Sequence, residues 1–370
     1  MRYRFQFRRY RLPFRQAVRT AHGLWAEREG VIVRLTPHEE GRQKTEDGRR
    51  EGAGWGEAAP IGHFGMESVD EIAAACAGLG EWVEAERLDS VPARLGCLKQ
   101  AIATARAERV TEARAEAIPA LGVAALLPAG EAALPLIEAK AESGFRVFKW
   151  KVGVGDVADE LALLDDVCAR LPSGAKLRLD ANGAWDRRKA ERWLERCAER
   201  PVEFVEQPIA ADAKGAQDLL LGLAGDFPTK IALDESLVGD GDVEKWLGGG
   251  WPGVFVVKPA LLGDVAGALA RLEKAKADVV FSSALETAVG ARAALRVAFR
   301  FAARRAEQKR EAEKRETEGG KAEIAPPRAL GFGVWPLFAD ARFDGPFAAP
   351  FVRAEDVERI DAEAVWNALS

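Results

Sequence analysis

From about residue 120 onward the chain repeats one unit. A short apolar run is followed by an amphipathic stretch of helical period, and the pair recurs at nearly constant spacing. The runs are LGVAALL, FRVFKWKV, KLRLDAN, VEFVEQP, KIALDES, VFVVKPA and DVVFSSA; DELALLDDVCARL, RKAERWLERCAER and VAGALARLEKAKA are among the stretches between them. Strands joined through helices pair in parallel, and a parallel sheet needs cover on both faces. These seven runs, with an eighth near RALGFG, predict a closed (β/α) barrel.

The flanks read differently. Tyr3, Phe5 and Phe7 alternate with Arg2, Arg4, Gln6 and Arg8, which is the pattern of a half-buried strand rather than of an arginine-rich targeting segment. GVIVRLTP is a second strand, and a polar tip over 39–52 leads to a third around Trp55. From Ser68 to about Arg109 the period is helical. A charge-dense insert at 303–328 reads as a solvated helix extension and a Gly/Pro-rich loop. The expected divisions are an α+β domain over 1–110, the barrel over 111–335, and a tail over 336–370 that packs back on the first domain.

Composition narrows the chemistry. The net charge of −5 gives no reason to expect nucleic acid, and no apolar run is long enough to cross a membrane. Cys76, Cys97, Cys168 and Cys197 form no CxxC pair and read as reduced thiols of a cytoplasmic protein, a monomer or homo-oligomer. All three histidines and both tyrosines lie in the first 63 residues. Acid/base groups of a barrel active site must therefore be Lys, Asp, Glu or Cys.

Active sites of such barrels lie at the C-terminal ends of the strands. There the second run ends on Lys149 and Lys151, the third on Arg178, Asp180 and Asn182, the fourth on Glu206, the fifth on Asp234 and Glu235, and the sixth on Lys258. A single acidic strand end is ordinarily a helix cap or a turn residue. Five successive charged ends that converge on one face are a site. Carboxylates gathered from three strands need a counter-charge. A hard divalent cation, Mg²⁺ or Mn²⁺ rather than Zn²⁺, supplies it through oxygen ligands. Alternation puts Lys149 and Lys151 on one face, about 6.6 Å apart. A nearby cation and partial burial favour the neutral amine in one of them, which suits removal of a proton α to a metal-held carboxylate. GVGDVA, Gly153 to Ala158, also matches a dinucleotide fingerprint, but Asp156 would oppose a pyrophosphate and Glu206, Asp234 and Lys258 would have no role.

Taken together, GWGEAAP, KWK, LDAN, EQP, LDES and VVKP resemble the motifs of the enolase superfamily, in its muconate-lactonizing subgroup. RLDAN, FSSALETAVGARAAL and GFGVWPLF are most similar to the o-succinylbenzoate synthase family of menaquinone and phylloquinone biosynthesis. The resemblance implies a modified (β/α)8 TIM-like barrel with an N-terminal α+β capping domain completed by the C-terminal tail. It implies one divalent cation on Asp180, Glu206 and Asp234, and syn-dehydration of a small-molecule carboxylate through an enediolate. Lys151 is then the base, Lys258 the opposite cation, and Lys149 a neighbour of the substrate carboxylate. Arg178, Asn182, Glu235, Ser282 and Ser283 bind substrate, the serines near the succinyl tail. A cap loop falls near Arg15 to Trp25. The insert at 303–328 and the tip at 39–52 are not part of that pattern. The same residues would also serve an N-acylamino acid racemase or dipeptide epimerase, with Lys151 and Lys258 as bases on opposite faces. A metal-binding barrel without catalysis would need none of the lysines.

Overall fold

The computed structural model describes residues 1–20, 23–38, 52–107, 120–315 and 327–369. Most of the polar tip at 39–52, part of the charged insert at 303–328 and residues 21–22 of the expected cap loop lie outside them.

The N-terminal sheet has four strands. β1 (Arg2–Thr20) and β2 (Gly23–His38) form one long antiparallel hairpin, from Arg2 opposite His38 to Thr20 opposite Gly23. β3 (Gly54–Ala58) pairs with β2, and β4 (Trp82–Glu84) with β1. Alternation sends Tyr3, Phe5, Val31, Val33 and Leu35 into a core shared with the helices Val69–Leu79 and Gly96–Ala107. A Cβ on Gly54 or Gly56 would stand 1.9 Å from the carbonyl oxygen of Ala105 or Ala101. The glycines of GWG are therefore what lets the second helix lie directly on β3.

The barrel follows. LGVAALL splits into β5 (Leu121–Gly122) and β6 (Ala125–Leu127). Then come β7 (Val147–Lys151), β8 (Lys176–Asp180), β9 (Val202–Glu206), β10 (Ile231–Leu233), β11 (Val254–Val257) and β12 (Asp278–Phe281). From β6 to β12 every neighbour in the seven-stranded sheet is the next strand in sequence, and every pair is parallel. The expected eighth strand shrinks to two bridges: Leu330 pairs with Val123, and Gly331 with Ser282, both in parallel. Close approach explains the loss of side chains there. A Cβ on Gly331 would meet Ser282 Oγ at 2.4 Å, and one on Gly333 the Ala124 oxygen at 2.2 Å.

Helices line the outside of the barrel. Trp150, between the two lysines of β7, is fully buried and edges onto Trp193 of the helix Arg187–Cys197. The inner core of the barrel is Phe204, Ala232, Val254, Val256 and Val280. The tail touches both halves. β13 (Phe351–Val352) pairs antiparallel with β5, while in the helix Ala362–Ala368 the Trp366 ring stacks under Arg8, with 4.5 Å between centroid and guanidinium carbon.

Candidate active site

Because Trp150 faces the helices, Lys149 and Lys151 face the barrel mouth. Lys149 Nζ donates to Glu206 Oε1 at 2.8 Å and lies 3.0 Å from Asp180 Oδ2. Across the mouth Lys258 Nζ donates to Asp234. Lys151 Nζ donates to Asn182 Oδ1, and Asn182 Nδ2 donates to Glu235 Oε1 at 2.9 Å. Asn182 holds this place in a left-handed backbone, φ 44°. A cavity of about 820 Å³ opens over these groups; Lys149, Lys151, Asp180, Asn182, Asp234, Glu235, Lys258, Ser282 and Ser283 all line it. Glu206 stands behind Lys149, 2% exposed.

Burial pulls the Lys149 ammonium down, but Asp180, Glu206 and Asp234 outweigh it and hold the pKa above the ordinary lysine range. Lys258 is likewise raised: burial opposes, and Asp234 and Glu235 prevail. Burial drives Glu206 well above its usual value despite Lys149. Burial and the Asp234 charge push Glu235 up to about 7. In Asp180 burial acts upward, yet Lys149 and Lys151 hold the group low.

The donor set suits a hard divalent cation. Asp180, Glu206 and Asp234 offer only oxygen, from three successive strand ends, and the adjacent Glu235 Oε2 is buried without a hydrogen-bond partner. Among the described residues no three Asp, Glu, His or Cys side chains already stand at metal-holding spacing. Lys149 and Lys258 sit among the carboxylates and pair with them.

Arg178 is elsewhere. It precedes Asp180 by two residues on the same inward face, and so lies about 6.6 Å deeper in the barrel. There its Nε donates to Glu203 Oε2 at 2.6 Å, Nη1 donates to the Ala329 carbonyl at 2.8 Å, and the guanidinium stacks 4.8 Å from the Phe204 centroid. It is 1% exposed and is not among the residues that line the cavity, unlike the other residues expected to bind substrate. The loop of the apparent dinucleotide fingerprint carries an internal anion instead of a nucleotide phosphate. Glu160 accepts the backbone N–H groups of Gly153, Val154 and Gly155 at 2.9, 3.1 and 3.0 Å.

Several parts of the site have no local signature in the strand ends. Gln207, fully buried with φ 39°, accepts from the Asp234 and Ser236 amides and donates to the Ile209 carbonyl and Ser236 Oγ. It ties the ends of β9 and β10 together; the EQP string that contains it was the available signal. Arg15, Trp25, His63 and Phe64 reach the cavity from the N-terminal half, and Lys258 Nζ lies 5.3 Å from the Phe64 ring centroid.

Residues 134–335 match the family model described as enolase C-terminal domain-like. An o-succinylbenzoate synthase of Thermosynechococcus vestitus is 39% identical over 292 residues, which are 77% of this chain and 85% of that protein. The crystal structure of o-succinylbenzoate synthase from Thermosynechococcus elongatus, complexed with Mg in the active site, gives a TM-score of 0.73 at 33% identity and covers 99% of each chain. The L-Ala-D/L-Glu epimerase of Bacillus subtilis shares the fold, with a TM-score of 0.66 at 23% identity over 80% of this chain and 86% of that one.

Proposed function

The chain belongs to the enolase superfamily, in its o-succinylbenzoate synthase family, and from that premise we propose how its residues divide the work. The reaction is the syn-dehydration of 2-succinyl-6-hydroxy-2,4-cyclohexadiene-1-carboxylate, a carbon–oxygen lyase step. Asp180, Glu206 and Asp234 would hold one Mg²⁺ or Mn²⁺, which when bound stabilises the negative charge that develops on the substrate carboxylate.

The observation that carries the assignment is the difference among the three lysines. Lys149 and Lys258 are each committed to carboxylates, whereas the hydrogen-bond partner of Lys151 is an amide oxygen. Lys151 is thus the base. Its amine takes the proton α to the carboxylate, and the electron pair passes into the carboxylate group. The resulting ammonium returns the proton to the hydroxyl on the same face, which leaves as water while the ring becomes aromatic. Lys258 stays a cation beside the enediolate, and Lys149 holds Asp180 and Glu206 in place. Ser282 and Ser283 line the succinyl side, with Asn182 and Glu235 orienting Lys151. We place the reaction in menaquinone or phylloquinone biosynthesis in the cytoplasm, and divide the chain into a cap (1–110), a barrel (111–335) and a tail (336–370). No described helix is long and apolar enough to cross a membrane.

The test is an assay of the purified protein with Mg²⁺ on this substrate and, separately, on N-succinylamino acids. Aromatic product is expected from the first. Racemisation of the second with no dehydration of the first would overturn the assignment.

A further inference from the structure

The substrate of that dehydration carries two carboxylates, one beside the α carbon and one at the end of its succinyl chain. We propose that Arg15 on β1 binds the second and so selects for a dianion; the inference rests on the function proposed above. Four cations line the cavity at Arg15, Lys149, Lys151 and Lys258, apart from a histidine. The three lysines are engaged by Asp180, Glu206, Asp234 or Asn182. Among the described residues no side-chain hydrogen bond or ion pair involves Arg15.

That sets it apart from the arginines that precede it on the strand. Arg2 and Arg4 pair with Glu84 and Glu81, Arg9 with Asp70, and Arg11 with Glu29, while Arg8 donates to the Trp366 carbonyl. The pairing stops where β1 reaches the cavity. The other residues of this arm on the wall, Gln16, Ala17, Val18 and Trp25, carry no negative charge. Nor is the position loose. The Arg15 N–H donates to the Leu337 carbonyl at 2.8 Å, the Ala339 N–H donates to the Pro13 carbonyl at 3.0 Å, and between them buried Phe14 packs on Phe338. The backbone at Arg15 is thus held at the cavity wall, and its exposed guanidinium, without a carboxylate of its own, offers a planar fork to an incoming one.

The experiment measures binding of o-succinylbenzoate and of its methyl ester at the succinyl end, by calorimetry with Mg²⁺. The proteins are the full chain and its Arg15→Gln and Arg15→Lys variants, with turnover of the substrate followed in parallel. The unmodified protein is expected to prefer the diacid by roughly 10–100-fold, Arg15→Gln to bring the two ligands within about 3-fold, and Arg15→Lys to fall between. Affinity for the ester should be the same in all three. The inference is overturned if Arg15→Gln keeps the original preference, or if it weakens both ligands equally. A protein that fails to dehydrate the substrate refutes the function, and this inference falls with it. One that dehydrates it, with a preference independent of residue 15, refutes this inference alone.

Discussion

Two clusters of charge lie inside one barrel, a single layer of side chains apart, in opposite electrostatic condition; the deeper one runs from fully buried Arg178 through half-buried Glu203, Arg328 and Asp278 to exposed Lys230. In the deeper one Arg178 and Arg328 share Glu203, while Arg328 and Lys230 share Asp278 at 2.6–2.9 Å. Burial opposes ionisation there, but the arginines win: Glu203 is held low and Asp278 falls to about 2. Its one loose end is a buried Arg178 Nη2. At the mouth lysines take the place of arginines, Glu206 and Glu235 are pushed up, and Glu235 Oε2 has no partner. The deeper cluster is settled as it stands. The upper one holds more negative charge than its lysines resolve, which is the condition of a site built to receive a cation and a ligand.

The sharpest way to break this contrast is at Lys151. Lys151→Ala should lose a factor on the order of 10⁴ in dehydration, together with exchange of the α proton for solvent deuterium, because it removes the proposed general base. Dehydration at the unaltered rate would sink the assignment. Lys258 should matter somewhat less. Lys258→Ala is expected to cost roughly 10²–10³ in rate through lost charge stabilisation. Lys258→Arg keeps the cation but cannot serve as a base, so it should retain more dehydration activity than Ala. If the native reaction were racemisation instead, both variants would be equally dead in a racemisation assay.

A matched pair of substitutions tests the layers against each other. Asp234→Asn should weaken Mg²⁺ binding in a calorimetric titration and leave the urea midpoint nearly unchanged. Arg178→Met should leave metal binding intact and destabilise the fold by roughly 2 kcal/mol, since it takes one of two arginine partners from half-buried Glu203. Equal urea midpoints for both variants would erase the distinction. The smallest effect is expected from pH. The folded pKa of Asp278 is lowered from 3.8 to about 2, so its contribution to stability is complete above 3.8 and disappears as the pH falls toward 2. Asp278→Asn should flatten the stability profile in that acid window and nowhere else; an unchanged slope there counts against the settled lower layer.

The barrel and the convergence at its mouth were legible because strand ends recur at the βα period, and the charges on those ends need each other. Depth was not. Arg178 and Asp180 share a face under the period of 2, and nothing local states that one sits in the mouth and the other a layer below. The cap loop near Arg15 to Trp25 was named from sequence, and both residues reach the cavity, but the contribution of Phe64 was hidden for a different reason. Phe64 meets Lys258 across 194 positions of chain, a contact that only the docking of two halves creates. The eighth strand stands where RALGFG placed it, but only as single bridges, because its glycines mark where backbones come too close to carry side chains.

The seam at Leu330 and Gly331 bears on the order in which the molecule assembles. Neighbouring barrel strands join residues a few tens of positions apart, but the bridge from Val123 to Leu330 spans 207. Loop-closure entropy rises with that separation, and a single bridge on each side returns few hydrogen bonds for it. Ring closure is therefore the natural last event of folding and the first contact to yield. Until it forms, the seven strands are an open curved sheet with two unpaired edges, at β6 and β12. An open edge of that kind can recruit a second chain. The hazard for this molecule at high concentration is thus joining between incompletely closed rings, and its rate is set by how quickly a glycine-lined stretch finds two edges at once.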